Sequence, residues 1–465
     1  MPPGLRRDLG RLESYALLVG ILVGAGIFRV TSDATALTGP SVILAHLVLT
    51  PVILATAVSY LVFLSTPLGL RPGGEIAHIA ATLGNGRLVF LAGWLKLISY
   101  MGACAYLADA LARNVYELFR PGTESVDSSL LLLSLPILAF FCGVHLIGVR
   151  WFGRVQVAMC MLLAVALVVL IVPGVFAIDT ANYKPFFYGG ASGFGAALPP
   201  LFFAYAGFEA LSQAAGEVRD SRKELPRIFV RGIVLTALIF LAMSSVALGV
   251  LPSDELGSSG VPMSRAAATY LPFGAEAVVT VGAIMAIGTS LNASLLVPAR
   301  LAYHMAHERQ LPQAFGRLHV ERGIPVLGLV LCFVFTALLL ASGQMGLALG
   351  IAVVSLMMLY VLHSLALCLL PRLNPDLYEQ VETRIPRSLQ CLAAGASILA
   401  LLCLIGLQFS SDIAHMQSTE FSTRWHALDW TSLELVIAWL LLGFLVHAVV
   451  RRTPPSEAHI LERDV

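Results

Sequence analysis

Residues 324–371 read IPVLGLVLCFVFTALLLASGQMGLALGIAVVSLMMLYVLHSLALCLLP, a run without one Asp, Glu, Lys or Arg. A helix needs about 20 apolar residues to cross the hydrocarbon of a bilayer, so this run holds two crossings. The turn-forming cluster Ser342-Gly343-Gln344 near its middle divides them. Further charge-free runs lie outward along the chain, from Val155 to Ile178, Ile233 to Ser253 and Ala277 to Ala299. Continued to both ends, the pattern predicts an all-α integral membrane protein of twelve transmembrane helices. Their expected bounds are 12–36, 40–65, 87–119, 129–149, 152–177, 193–215, 226–251, 272–306, 325–342, 345–371, 387–409 and 431–451.

Composition agrees. Of the 465 residues 58% are hydrophobic and 12% charged, against roughly 45–50% and 25% in soluble domains, which excludes an ordinary soluble enzyme. The net charge of +1 gives no sign of a nucleic-acid partner. An even number of spans puts both termini on one side. Of the 29 Lys and Arg, only Arg120, Lys184, Arg265 and Arg424 fall in the loops of the other side. The positive-inside rule therefore predicts cytoplasmic termini in a multi-pass protein of the cell (plasma) membrane. The basic N-terminus resembles a signal peptide, but the apolar stretch after Arg11 is span-length and has no small-residue cleavage site, so it reads as the first helix. The seven cysteines all fall in predicted spans without a Cys-x-x-Cys pair, which implies neither a disulfide framework nor a metal site. The absence of a Gly-x-x-x-x-Gly-Lys-Ser/Thr loop argues against ATP drive, and no cofactor is implied.

Two spans are interrupted. The first carries Gly24-Ala25-Gly26-Ile27-Phe28 and the sixth Ala204-Tyr205-Ala206-Gly207-Phe208-Glu209. Glycine within a helix costs roughly 1 kcal/mol relative to alanine. Backbone groups freed at membrane depth are tolerated only when buried in protein or lining a wet cavity. Glycine-interrupted segments at corresponding places in two halves point to a transporter's binding site. The half-helix starting after a break offers N–H groups to a carboxylate, and the carbonyls ending the other half suit an ammonium. A zwitterionic amino acid satisfies both. The alternative reading is that Gly24 and Gly26 serve close helix packing.

Gly24 to Phe28, with Thr38-Gly39-Pro40 opening the second span, resembles the start of the amino acid–polyamine–organocation (APC) superfamily. So do Pro72-Gly73-Gly74-Glu75 with Gly93-Trp94, Phe203 to Glu209 with Gly216-Glu217-Val218 and Leu225-Pro226-Arg227, and Ser294 to Arg300 with Tyr303, Met305-Ala306 and Leu311-Pro312. The resemblance implies a LeuT-like 5+5 inverted repeat, residues 12–177 and 193–371, followed by two C-terminal helices in 387–451. Cytoplasmic segments 1–11 and 452–465 flank them. It also implies an amino acid permease, a secondary active transporter working by alternating access as a symporter or antiporter. Carried over by position, N–H groups around Gly24, Ala25, Gly26 and Ile27 would hold the substrate carboxylate, and carbonyls of Leu22, Phe203 and Ala206 the ammonium. Phe203 stands where an aromatic lid closes the outer path, and Glu209 matches an acidic inner gate or proton-sensitive element. Sodium-coupled proteins of the fold place hydroxyls where Ser290, Asn292 and Ser294 lie. Leu163 replaces a lysine that some proton-coupled members carry, Ala25 a serine of some exchangers, and Arg29 a usually apolar residue. Proton linkage is favoured over sodium.

The remaining polar residues divide between function and packing. Arg29 with Asp33, and Asp109 with Arg113, share helix faces and read as local pairs. His46, His145, His363 and His447 show no metal-ligand spacing. Lys96 lies nine residues past Arg87, about 13 Å into the membrane at 1.5 Å per residue. At that depth it is expected to pair with Glu209 as a coupling device, unless it snorkels to the headgroups. Tyr100, Tyr205, Phe203 and Cys104 are expected to line the cavity, which suits a neutral substrate of modest size. A cationic amino acid or polyamine with Glu209 as counter-charge, and a non-transporting sensor, are the alternative readings; an enzyme is not expected, since ionisable residues within the spans are few.

Overall fold

A computed structural model describes residues 10–452 except 25, 71–72, 85, 121–126, 148, 214, 216–217, 219–220, 273, 275, 320–321, 419–423 and 425–428. Ala25, Pro72, Gly216, Glu217 and most of both terminal segments therefore lie outside the described residues.

The architecture is all-α. In chain order the helices are α1 Arg11–Leu22, α2 Thr31–Thr38, α3 Val42–Leu64, α4 Gly74–Leu83, α5 Arg87–Phe119, α6 Asp127–Ile147, α7 Val149–Gly174, α8 Gly190–Phe202 and α9 Ala210–Gln213. They continue as α10 Ser221–Val250, α11 Ser253–Ser258, α12 Pro262–Ala268, α13 Glu276–His307, α14 Val326–Ala341, α15 Met345–Leu373, α16 Pro375–Glu379, α17 Arg387–Ser418 and α18 Ser432–Arg452. Among the described residues, ten stretches are long and apolar enough to cross a membrane, one of them running through Arg11–Leu64. The chain is a multi-pass membrane protein.

The 33-residue α5 is the central helix and packs against α13 and α15. Its small residues allow that approach: a Cβ on Gly93 would lie 2.7 Å from Sδ of Met305 in α13, and one on Gly102 would lie 2.7 Å from the carbonyl oxygen of Ala348 in α15. At the periphery, α7, α17 and α18 expose Val165, Val168, Leu399 and Leu445, all more than half accessible. A surface so apolar is stable against lipid tails rather than water.

Three segments depart from the expected pattern. The link between the second and third spans, read as a loop, contains α4; the link between α10 and α13 contains α11 and α12. The helix expected to end at 409 continues to Ser418, because its polar end has a job: Asp412 accepts from the Ser432 hydroxyl at 2.5 Å and from the Leu433 N–H at 2.8 Å, capping α18.

Both predicted interruptions are present. The chain leaves α1 at Leu22, re-enters through a π-type turn over Gly26–Val30 and continues as α2. Likewise α8 passes through a 3-10 turn, Phe203–Tyr205, and breaks before α9. Gly207 supplies the break with φ +103°, a conformation strongly unfavourable for side-chain-bearing residues.

Candidate functional site

The two breaks face one another. A Cβ on Gly26 would lie 2.4 Å from Cα of Ala204, so the absence of a side chain lets the two backbones touch. Beside this contact lies a cavity of about 390 Å³, including its opening to solvent. Its walls include Leu22 and Gly26 from the first interrupted helix, Phe203, Ala206 and Gly207 from the second, and Tyr100 from α5. Ile21, Ser99, Ala103, Leu107 and Leu356 complete the lining, together with Ser290 and Ser294 from α13.

The polar groups at the breaks are accounted for residue by residue. Thr289 Oγ1 donates to the Gly20 carbonyl at 2.7 Å, and Ser290 Oγ lies 2.9 Å from the carbonyl oxygens of both Gly20 and Ile21. Thus α13 satisfies acceptors at the end of α1. A Cβ on Gly24 would lie only 1.7 Å from Ser290 Oγ, which realises the close-packing reading of that glycine. The Ala206 N–H donates to the Phe203 carbonyl at 3.0 Å, leaving that oxygen a second lone pair. Ile27 is buried.

Glu209 sits fully buried behind the cavity wall. Its carboxylate accepts the Tyr100 hydroxyl at 2.6 Å, the Gly207 N–H at 3.0 Å and the Tyr360 hydroxyl. Tyr100 belongs to α5 and Tyr360 to α15, so this carboxylate ties the second break to two full-length helices. Three donors around one buried carboxylate compensate its loss of water.

Several expected roles are corrected. Lys96 does not pair with Glu209; it forms a fully buried ion pair with Glu75 of α4. It does not snorkel either, being inaccessible. Tyr205 turns away from the cavity: its hydroxyl lies 3.1 Å from Thr50 Oγ1, and its ring packs edge-on against His46 and Phe240. Cys104 is buried outside the cavity lining. Asn292 points to α7, donating to Gln156 Oε1 at 3.0 Å, so of the three α13 residues only Ser290 and Ser294 reach the cavity.

Toward the other end of α5, Arg29 and Asp33 pair at 3.4 Å and Arg113 donates to Asp109 at 2.7 Å, as local pairs. Tyr106 donates to Asp33 at 2.8 Å and meets Phe203 edge-on, with ring centroids 5.7 Å apart. His363 accepts or donates to Ser59 Oγ at 2.8 Å and to His78 Nδ1 at 3.1 Å. Among the described residues no group of three His, Cys, Asp or Glu is placed to hold a metal ion.

Tyr360, Leu356, Glu75 and Ser99 were missed. Glu75 had a signal, a carboxylate next to Gly73-Gly74 at the membrane edge; Tyr360, the one tyrosine in the run 324–371, lies in no motif that marks which way it turns.

Comparison with known proteins gives the same direction. The chain is similar to a branched-chain amino acid permease of Bacillus subtilis, 22% identical over 96% of this chain and 94% of the relative. It is similar to a serine/threonine exchanger of the same organism, 26% identical over 68% of this chain and 72% of the other. Cationic amino acid transporter 4 of Mus musculus is 27% identical over 73% of this chain and 56% of that protein. The model of the amino acid permease family matches residues 9–448. With that match spanning nearly the whole sequence, the chain belongs to the amino acid permease family of the APC superfamily.

Proposed function

We propose that the protein is a secondary active transporter that carries a neutral amino acid with a small or branched aliphatic side chain by alternating access. The observation that carries this reading is the cavity between the two interrupted helices, whose lining contains no charged side chain. Backbone N–H groups at Gly26 and Ile27, with Ala25 beside them, take the substrate carboxylate; carbonyls of Leu22, Phe203 and Ala206 take its ammonium. Leu107, Ala103 and Leu356 receive the side chain. Glu209 is engaged by Tyr100, Tyr360 and the Gly207 N–H, which supports a neutral substrate over a cationic amino acid or polyamine. The branched-chain permease among the relatives supports the same choice.

In this reading the chain has twelve spans, with α1–α7 and α8–α15 as the two inverted repeats, α17 and α18 outside them, and both termini in the cytoplasm of a plasma-membrane protein. Phe203 closes the outer path and Glu209 the inner one. Transport is proton-linked or by exchange. A sodium ion at Ser290 and Ser294 is not part of this reading.

Uptake of labelled amino acids into proteoliposomes tests the proposal. Accumulation or exchange of leucine, isoleucine or valine is expected, with arginine and putrescine excluded. Product formation or binding without flux would refute it, and preferred uptake of arginine would refute the neutral-substrate assignment.

A further inference from the structure

Glu75 sits in the first turn of α4, outside the cavity, and is inaccessible to solvent. One carboxylate oxygen takes Lys96 Nζ from α5. The other lies 3.3 Å from Ser212 Oγ, whose single hydrogen it shares with the Glu209 carbonyl at 2.6 Å, and 3.5 Å from Gln213 Nε2, both from α9, the half of the second interrupted helix that follows Glu209. Gln213 also donates to the Gly73 carbonyl at 3.1 Å. Gly74 makes the approach possible: at φ +52° it has no Cβ, and one there would lie 2.6 Å from Gln213 Nε2 and 2.7 Å from Ser212 Oγ. Lys96 Nζ lies 5.5 Å from the centroid of the Tyr100 ring, and Tyr100 holds Glu209. One buried carboxylate thus joins the helix between two spans, the central helix and the second half of the broken helix, beside the cavity.

A buried ion pair is stable only while its remaining donors and acceptors are satisfied, and it becomes costly when they are removed. Moving α9 away from α4 strips Ser212 and Gln213 from Glu75. We infer that Glu75 and Lys96 form a latch that holds α9 against α4 and keeps the cavity closed on that side until the latch opens. They are positioning residues that do not touch substrate. The inference rests on the transporter reading above, because a latch of this kind has a function only in a cycle that opens the α4 side.

The test is hydrogen–deuterium exchange of the full chain in lipid nanodiscs without substrate, paired with uptake by the same protein in proteoliposomes. Glu75→Gln and Lys96→Gln are expected to speed exchange at least about tenfold in Gly74–Leu83 and Ala210–Gln213. Exchange in α11, which packs on α2 on the other side of the cavity, is expected to slow as that side closes. Lys96→Arg keeps the charge and should retain wild-type protection. Ser212→Ala removes one donor without leaving an unpaired charge, and should give a smaller rise in the same two segments. In uptake, the maximal rate of Glu75→Gln falls while its half-saturation concentration changes less than about twofold. No rise in Glu75→Gln and Ser212→Ala, or an equal rise throughout the chain, would overturn the latch. The exchange readout needs no substrate, so a wild-type protein that moves no amino acid sinks the transporter reading by itself, whatever the exchange pattern.

Discussion

Tyr100 spans the cavity wall to Glu209: its ring borders the cavity and its hydroxyl donates to the buried carboxylate at 2.6 Å. The cavity and the carboxylate behind it are therefore joined through one side chain. Tyr360 holds the same carboxylate from α15. Hydrogen bonds to a charged group contribute about 1.5–3 kcal/mol each. Glu209→Gln is expected to lower uptake by about tenfold or more at matched expression, since the amide replaces one acceptor oxygen by a donor facing a hydroxyl. Tyr360→Phe, which removes one donor and keeps the ring, should lose less. Wild-type uptake by Glu209→Gln would remove Glu209 from the transport cycle.

Gly24 and Gly26 make different predictions. A methyl group on Gly24 meets Ser290 Oγ at 1.7 Å and Ser290 Cβ at 2.6 Å. Gly24→Ala should therefore destabilise by about 1–3 kcal/mol, and Ser290→Gly in the same chain should recover part of it. At Gly26 the obstacle is the Ala204 backbone, 2.4 Å away, which no side-chain substitution clears. Gly26→Leu should abolish uptake. Thermal denaturation in detergent reads the first pair, and uptake at matched membrane level the second. Absence of rescue by Ser290→Gly would mean that Gly24 acts through its backbone conformation.

Phe203 lines the cavity and meets Tyr106 edge-on, while Tyr106 is tied through Asp33 to Arg29. An aromatic pair of this kind contributes about 0.5–1.5 kcal/mol beyond its buried area. Phe203→Ala should slow flux more than it weakens binding, because it removes the cover and leaves the backbone carbonyl. Unchanged flux with lost affinity would make Phe203 a plain wall of the cavity.

Trp94 and Trp439 exchange hydrogen bonds reciprocally, each indole N–H donating to the other's carbonyl, at 2.7 and 2.8 Å, with rings stacked 4.2 Å apart. The pair pins α18 to α5 outside the cavity lining. Trp439→Phe keeps the stack and should cost about 1 kcal/mol, whereas Trp439→Ala should cost about 3–5 kcal/mol. Both should leave the half-saturation concentration of uptake unchanged. A change in substrate affinity in Trp439→Phe would show that α18 communicates with the site.

The amino-acid sequence by itself determined the solvent, the long apolar helices and the two interruptions. Each depends on local properties: the run 324–371 needs lipid wherever it folds, and glycines at 24, 26 and 207 weaken a helix through backbone preferences that neighbours do not reverse. Tertiary structure decided which residues meet. In an apolar span every face is hydrophobic, so periodicity does not tell which side turns inward. Tyr205, at the break itself, rotates to Thr50 and His46, while Tyr360, 155 positions later and unmarked in the sequence, reaches Glu209. Lys96 demanded a buried counter-charge on physical grounds. Whether Glu209 or Glu75 supplied it depended on how α4, a helix hidden in an expected loop, folds back against α9, a contact that Gly74 permits by having no side chain.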